Sequence, residues 1–217
     1  MYEKLIYLVR HGETDANLKH VYQGVSQDNS LNENGKGQAA RLGQWLKKYY
    51  LPPDIILTSP AKRAVETACI LHYGIFGQKS KPDLFIISEM HEVNHGDWEG
   101  ISDHDAACVY PDAYHLWQKH PMDMAFPNGE TMEEARARIL KIWRHNILAR
   151  TEKIIMVVGH GGVNFQILNH ALESHKIRNL WQDNACLNII EKDKNDELRV
   201  RLINSTAHLH TSLEAPK

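Results

Sequence analysis

The chain has few cysteines, almost no net charge and no long apolar run. Its 217 residues include only three cysteines, Cys69, Cys108 and Cys186, an odd and widely spaced set that predicts neither a disulfide framework nor a Cys-x-x-Cys metal site. The 25 basic and 27 acidic residues leave a formal net charge of −2, which gives no overall attraction to nucleic acid or to an anionic membrane. No stretch approaches the roughly 18 apolar residues that span a bilayer, and the first residues lack a signal-peptide pattern. We therefore expect a cytoplasmic protein with no nucleic-acid or membrane partner.

Short apolar runs alternate with amphipathic segments along most of the chain. This alternation predicts an α/β fold with a mainly parallel central sheet between two layers of helices. Strands are predicted at 5–9, 55–57, 84–87, 154–158, 185–192 and 198–204, and helices at 33–50, from 59 onward, at 132–143 and at 161–172. The whole chain, 1–217, is expected to form one domain, and the polar residues from about 210 to 217 are expected to be a mobile tail.

Local signals mark where the helices begin. Ala39, Leu42, Leu46 and Tyr49 recur at three- and four-residue steps and predict one apolar helix face. Ser59 followed by Pro60 predicts a second helix, with serine as its cap and proline in its first turn. The spacing of Thr131 and Glu134 predicts a capping box at the start of a third.

Three loops that follow predicted strands carry groups able to bind phosphate. The first begins Arg10-His11-Gly12, the second runs from Thr58 to Arg63, and the third is Gly159-His160-Gly161-Gly162. Parallel strands present their carboxyl ends on one edge of a sheet, so we expect the three loops to meet there. Arginine suits a phosphoryl group because its planar fork can donate two parallel hydrogen bonds, and glycine beside each histidine lets the backbone approach closely.

These residues belong to a longer ordered pattern. Arg10-His11-Gly12-Glu13-Thr14 with Asn17 resembles the fingerprint of the histidine phosphatase superfamily, which has the phosphoglycerate mutase-like fold. Further blocks of the pattern follow in order and cover nearly the whole chain: Gln23-Gly24, Ser30–Ala39, Thr58–Thr67, Glu92–Gly100, Asn128–Thr131, Gly159–Gly162 and Asn204–Leu209. The resemblance implies a three-layer sandwich with a small helical lid, which we expect at 101–128.

The resemblance also implies roles for the residues of the loops. His11 resembles the nucleophile that becomes phosphohistidine, and Arg10, Arg63 and His160 resemble the clamp around the phosphoryl group. Glu92 resembles the general acid, four residues before the glycine of Gly96-Asp97-Trp98-Glu99-Gly100, and Glu89 is its nearest competitor. The expected substrate-binding set is Asn17, Gln23, Gly24 and Gly161. With several cation-capable groups present, we expect neither a metal nor a cofactor.

The superfamily contains both phosphatases and mutases, so two enzymatic functions stay open. The segment 101–128 holds no arginine and one lysine, Lys119, against four aspartates, which is little to retain a phosphoglycerate. Its apolar side chains suit a ring-bearing leaving group: Tyr110, Tyr114, Leu116, Trp117 and Phe126. We therefore predict a metal-independent phosphomonoesterase for small phosphorylated substrates, with α-ribazole 5′-phosphate as one candidate substrate. The alternatives are a cofactor-dependent phosphoglycerate mutase and a phosphohistidine or metal-binding relay protein, and a homodimer is a candidate assembly.

Overall fold

The computed structural model describes residues 2–79, 81–173 and 180–210, and within these ranges the strands form one sheet in the order β3-β2-β4-β1-β5-β6. The strands are β1 (Lys4–Arg10), β2 (Ile55–Thr58), β3 (Leu84–Ile86), β4 (Ile154–Gly159), β5 (Leu187–Lys192) and β6 (Leu198–Ser205). Strands β3, β2, β4 and β1 are parallel to one another, whereas β5 is antiparallel to β1 and β6 is antiparallel to β5. The prediction of a mainly parallel sheet is confirmed.

Helices cover both faces of this sheet. They are α1 (Asp15–Leu18), α2 (Glu33–Tyr49), α3 (Lys62–Phe76), α4 (Asp103–Val109), α5 (Pro111–Lys119), α6 (Met132–Ile142), α7 (Gly161–Ala171) and α8 (Ala207–His210). A π-helix, Trp143–Leu148, continues α6, and single 3₁₀ turns lie at Ser88–Met90, Gly96–Trp98 and Pro121–Asp123. Successive residues of a strand point to opposite faces, so Tyr7 packs with α2 and α3 while Leu8 packs with α6 and α7. These two apolar cores produce the predicted three-layer sandwich.

The order of the strands brings the three predicted loops to one edge. Strand β4 lies between β2 and β1, and in the parallel register Arg10 pairs with Gly159 while Thr58 pairs with Val158. The carboxyl ends of β1, β2 and β4 are therefore neighbours. The loops that begin after Arg10, Thr58 and Gly159 leave the sheet side by side, as expected.

The start of α3 differs from the prediction. The helix begins at Lys62 with Ala61 as its cap, and no side chain caps it. Ser59 is not the cap because its hydroxyl is turned toward His160, and Pro60 therefore stands before the helix rather than in its first turn. Two smaller differences concern Tyr49, which is exposed rather than part of the apolar face of α2, and β5, which begins two residues later than expected.

The segment predicted as a lid contains α4 and α5. Both Tyr22 and Tyr114 donate to the carboxylate of Asp103, at 2.6 and 2.8 Å, and so tie these helices to the loop that follows α1. The aromatic side chains of the segment pack on the core around Trp98; Phe126 itself is buried, with its ring centroid 5.3 Å from that of Trp98. The expected ring-binding role is thus wrong for Phe126.

The remaining predictions on helix ends and the tail have separate outcomes. The capping box is present, since Thr131 accepts from the backbone of Glu134 and the Glu134 side chain accepts from the backbone of Thr131. Residues 207–210 form α8, and the rest of the predicted tail, 211–217, lies outside the described residues. Among the residues described, no helix combines the length and the apolar character needed to cross a membrane.

Candidate active site

His11 lies buried immediately after β1, and its backbone is held from both sides. Its amide donates to the carbonyl of Gly159 at 3.0 Å, and its carbonyl accepts from the amide of Ala185 at 3.1 Å. The ring atom Nδ1 lies 2.7 Å from the carbonyl oxygen of Gly12. A carbonyl can only accept, so Nδ1 carries the proton and Nε2 keeps its lone pair.

The protonation state of His11 follows from its surroundings. Burial, followed by the positive charges of Arg63 and Arg10, holds the pKa of His11 well below its ordinary value. The ring is therefore neutral near pH 7. A neutral imidazole whose Nε2 lone pair is not protonated is a nucleophile.

His160, at the N-terminal end of α7, stands against His11. The two ring centroids are 5.3 Å apart and the ring planes meet at 65°. Nε2 of His160 lies 2.6 Å from Oγ of Ser59, and both residues are fully buried. Burial, followed by the charge of Arg63, holds the pKa of His160 well below its ordinary value, so this ring is neutral as well.

The guanidinium of Arg10 lies beside Gly161, at the start of α7. One of its terminal nitrogens donates to the carbonyl of Gln182, and a Cβ on Gly161 would come within 3.6 Å of its Nε. Burial lowers the pKa of Arg10, and the negative charge of Glu92 is among the groups that oppose this shift. Gly161, one of the predicted substrate-binding residues, therefore lies next to the guanidinium of Arg10.

Arg63 reaches the same region from the first turn of α3. Its terminal nitrogens donate to the carbonyls of Gln27 and Gly24, each at 3.0 Å. Gly24 has a φ of +51°, and a Cβ there would collide with the carboxylate of Glu99, so glycine is required. Glu99 in turn accepts from the amides of Val25 and Ser26, at 2.8 and 2.6 Å. Arg63 and Glu99 together hold the loop that contains Gly24.

Three donors around His11 lack a partner. Nε of Arg10, Nε of Arg63 and Nδ1 of His160 are inaccessible to solvent and make no hydrogen bond within the described part of the chain. Buried polar atoms are normally paired, because leaving one unpaired costs about 1–3 kcal/mol. An anion beside His11 would reach these donors once the side chains that cover them shift.

Glu92 lies on the same side of the site, in an irregular segment after the Ser88–Met90 turn. Its carboxylate accepts from the amides of Val93, at 2.9 Å, and of Gly162, at 3.1 Å, in the first turn of α7. A Cβ on Gly162 would lie only 2.6 Å from the carboxylate oxygen, so glycine permits this approach. Glu89, by contrast, is exposed, and only its backbone carbonyl is engaged, by Arg138.

The predicted substrate-binding residues Asn17 and Gln23 use their amide oxygens inside the protein. Oδ1 of Asn17 accepts from the backbone of Thr14 and from the side chain of Asn184, both at 3.1 Å. Oε1 of Gln23 accepts from the hydroxyl of Thr14 at 3.0 Å. The side-chain nitrogens of both residues are not used in these contacts.

Two residues of the loop before β5 contact the site and were not among the predicted residues. Asn184 donates to the carbonyl of His11 at 3.2 Å as well as to Asn17, and the carbonyl of Gln182 holds Arg10. The signal that could have found them is the polar cluster Gln182-Asp183-Asn184 directly before a buried strand. The strand that follows this cluster, β5, pairs with β1, and the cluster therefore lies at the same edge of the sheet as His11.

Within residues 2–79, 81–173 and 180–210, no group of three or more histidine, cysteine, aspartate or glutamate side chains could hold a metal ion. The fourteen histidines of the chain therefore do not assemble a recognisable metal centre in this part of the molecule.

Comparisons with known proteins show which family the chain belongs to. Residues 6–206 match the family model of the histidine phosphatase superfamily (branch 1). The chain is 31% identical over 205 residues to the uncharacterized phosphatase PhoE of Bacillus subtilis, covering 94% of this chain and 96% of that protein. It is 32% identical over 163 residues to the 2,3-bisphosphoglycerate-dependent phosphoglycerate mutase of Bartonella bacilliformis, covering 73% and 76%. The solved α-ribazole phosphatase of Shigella flexneri superposes with a TM-score of 0.79 at 25% identity, covering 93% of this chain and 96% of that one.

Proposed function

The chain belongs to branch 1 of the histidine phosphatase superfamily and is thus a phosphatase or a mutase, and we propose that it is a phosphatase. In this proposal it hydrolyses small phosphorylated metabolites in two steps through a phosphohistidine on Nε2 of His11, and it uses no metal. The proposal rests above all on the neutral, buried ring of His11, which has the charges of Arg63 and Arg10 and the ring of His160 around it.

In the first step, Nε2 of His11 attacks phosphorus and the bond to the leaving oxygen breaks. Arg10, Arg63 and His160 donate to the phosphoryl oxygens, which carry the charge in the transition state. A protonated Glu92 gives its proton to the leaving oxygen, which would otherwise depart as a strongly basic alkoxide.

In the second step, water replaces the histidine. The Glu92 carboxylate takes a proton from the water as its oxygen bonds to phosphorus, and the bond from Nε2 to phosphorus breaks. Inorganic phosphate leaves, His11 is again neutral and Glu92 is again protonated. Asn17, Gln23, Gly24 and Gly161 line the substrate side of this centre in the proposal.

Two observations favour a phosphatase over a mutase. The segment 101–128 holds Lys119 as its single basic residue, apart from histidines, which leaves little to retain a bisphosphate between turnovers. The match to a phosphatase, PhoE, extends over nearly the whole chain, whereas the match to the mutase covers about three quarters of it. The relatives that the chain matches are named as phosphatases and mutases, which weighs against a relay protein.

The substrate is proposed to be a phosphomonoester with an uncharged, ring-bearing alcohol. α-Ribazole 5′-phosphate is the first candidate, since a phosphatase of that compound shares the fold. The half-buried Tyr110, Tyr114 and Trp117 pack against the core, and any contact with the ring would come from their exposed edges.

A substrate panel tests the proposal. Purified protein is incubated with p-nitrophenyl phosphate, benzyl phosphate, α-ribazole 5′-phosphate and 3-phosphoglycerate, and released inorganic phosphate is measured with and without a chelator. We expect hydrolysis that the chelator leaves unchanged and that the His11→Ala variant lacks. Isomerisation of 3-phosphoglycerate with added 2,3-bisphosphoglycerate, at a rate above that of hydrolysis of every ester, would establish the mutase instead. Loss of activity with the chelator would contradict the metal-free mechanism.

A further inference from the structure

Glu92 is the one proposed catalytic group that neither lies in a strand or an α-helix nor directly follows one. Residues 91–95 form neither helix nor strand, so local backbone hydrogen bonds do not fix their path. A general acid has to lie within hydrogen-bond reach of the leaving oxygen, and small displacements are costly. Something else in the molecule must therefore hold this segment.

Arg138, on α6, supplies the missing contacts. One terminal nitrogen donates to the carbonyls of Glu89, at 2.7 Å, and of His91, at 3.1 Å, and the other donates to the carbonyl of Glu92 at 3.4 Å. Three carbonyls of the segment that carries the acid are thus bound by one side chain. In this segment Arg138 binds backbone carbonyl groups. Its contact with Glu92 is to the carbonyl and not to the carboxylate.

Glu130 fixes Arg138 in this orientation. Its carboxylate accepts from Nε and from a terminal nitrogen of Arg138, both at 2.8 Å. The two side chains are only 17% and 18% exposed. Burial opposes ionisation of Glu130, but the hydrogen bonds from Arg138 and from the amide of Asn94 outweigh it and lower its pKa. All five guanidinium hydrogens then have acceptors, which a lysine with its three hydrogens on one atom could not match.

The same carboxylate also joins the other end of the segment. Oε2 of Glu130 accepts from the amide of Asn94, and the amide of Glu130 donates to the carbonyl of Asn94, each at 2.9 Å. Helix α6 itself is anchored in the core by Met132, Ala135, Ile139 and Ile142. Three successive contacts therefore connect the core to Glu92. Helix α6 packs on the core, its Arg138 forms a bidentate ion pair with Glu130, and the same arginine binds the carbonyls of residues 89, 91 and 92.

We infer that the Glu130–Arg138 ion pair is the positioning element for Glu92 and sets its reach to the leaving group. The inference rests on the proposed function, because it needs Glu92 to be the general acid. It predicts that loss of the pair damages acid catalysis while phosphoryl transfer to His11 survives. A pair that only stabilises the fold would instead lower the turnover of every substrate alike.

The test compares two esters of similar size, benzyl phosphate and p-nitrophenyl phosphate. Nitrophenolate leaves without a proton, whereas a benzyl alkoxide requires one. We expect Arg138→Gln to lower kcat/KM for benzyl phosphate by about tenfold more than for p-nitrophenyl phosphate, mainly through kcat. Arg138→Lys should shift the ratio in the same direction, since charge without the planar fork cannot bind three carbonyls and a carboxylate.

The control is the second bidentate pair, Arg150 with Glu152. Two nitrogens of Arg150 bind the two carboxylate oxygens at 3.2 and 2.8 Å, with side-chain exposures of 30% and 26%, just before β4 and so at the opposite end of the sheet from the site. Arg150→Gln should leave the ratio between the esters unchanged. If Arg138→Gln does not fold, as judged by thermal unfolding, Glu130→Gln carries the same comparison.

A double-variant cycle separates this inference from the proposed function. In a Glu92→Gln background, Arg138→Gln should add no further selective loss, because the group that it positions is already inactive. An undiminished second loss would overturn the inference, as would equal losses on both esters for Arg138→Gln when Glu92→Gln is selective. A Glu92→Gln variant with no selectivity would remove the acid assignment of the proposed function, and the inference with it.

Discussion

The hydroxyl of Ser59 lies 2.6 Å from Nε2 of His160, so Nδ1 is the ring nitrogen that this contact leaves for a phosphoryl group in the proposed mechanism. In the proposed mechanism the Ser59 hydroxyl donates its hydrogen to Nε2, while its Oγ accepts from the backbone amide of Ala61 at 3.3 Å. In a neutral ring the proton then resides on Nδ1, the buried atom without a partner among the described residues. In this arrangement Ser59 would make His160 a hydrogen-bond donor for an anion.

Removal of the Ser59 hydroxyl should weaken catalysis without preventing folding. We expect Ser59→Ala to lower kcat/KM for p-nitrophenyl phosphate by about tenfold or more, because His160 loses the contact that sets its tautomer. Ser59→Thr, which keeps the hydroxyl, is the matched variant and should retain most of the activity. Steady-state kinetics of the two variants make the comparison, and equal activity of Ser59→Ala and wild type would mean that another contact orients His160.

Replacement of the nucleophile should abolish turnover. His11→Ala removes the atom proposed to bond to phosphorus, and the other neutral histidine, His160, has its Nε2 engaged with Ser59. We expect less than a hundredth of the wild-type rate, given that acid–base assistance alone is worth about a hundredfold or more. The wild-type protein should also yield an acid-labile, base-stable phosphoprotein when quenched during turnover. A folded His11→Ala protein that keeps more than about a tenth of the rate would identify a different nucleophile.

Lysine should not replace either arginine of the clamp. Arg10→Lys and Arg63→Lys keep the positive charge but lose the planar set of donors, at an expected cost of about 3 kcal/mol, or roughly a hundredfold in kcat/KM. Arg63→Lys should be the more damaging for stability, because the guanidinium also binds the carbonyls of Gly24 and Gln27. The measurements are kcat/KM and thermal unfolding, with Lys62→Arg as a neighbouring control. Near-normal kcat/KM in both variants would make these arginines structural.

Glu92 and Glu89 should respond differently to the leaving group. Glu92→Gln is expected to reduce kcat/KM for benzyl phosphate far more than for p-nitrophenyl phosphate, because only the first ester needs a proton on its leaving oxygen. Some loss should remain with both esters, since the same group assists the water that opens phosphohistidine. Glu89→Gln should change neither, because its carboxylate is exposed and only its carbonyl is bound. A selective loss in Glu89→Gln would move the acid three residues upstream.

The buried His208 should make stability depend on pH. Burial, followed by the charges of His210 and Arg41, lowers its pKa to about 4, whereas in the unfolded chain it is about 6.5. Between these values the unfolded chain binds a proton that the native protein does not, so stability falls as pH falls from about 6.5 toward 4, by up to about 1.4 kcal/mol per pH unit. Chemical denaturation at several pH values should show a smaller slope in His208→Gln than in wild type. His115→Gln, at an exposed position, should leave the slope unchanged.

Much of the fold and of the site could be predicted from residues close together in the chain. Strands covered on both faces, such as β4, appear as continuous apolar runs, and the capping box of Thr131 and Glu134 needs only three-residue spacing. Arginine, histidine and glycine directly after such runs identified the loops of the site. Polar residues at the carboxyl end of a parallel strand lie at the same edge of the sheet, whatever the place of that strand in the strand order. The sequence itself therefore determined the chemistry of that edge.

The tertiary structure decided the contacts between segments that are distant in the chain. The sequence around Ser59 is typical of a helix cap, but Ala61 takes that position in the structure. The end of β4 brings His160, 101 residues further along the chain, next to Ser59, and the hydroxyl of Ser59 contacts the buried ring instead. Glu130 and Arg138 flank the capping box eight residues apart, and their pairing around the carbonyls of residues 89, 91 and 92 depends on how α6 packs. Neighbouring residues determine strands, caps and turns, whereas buried hydrogen bonds depend on which segments meet, and only packing of the whole sheet sets that.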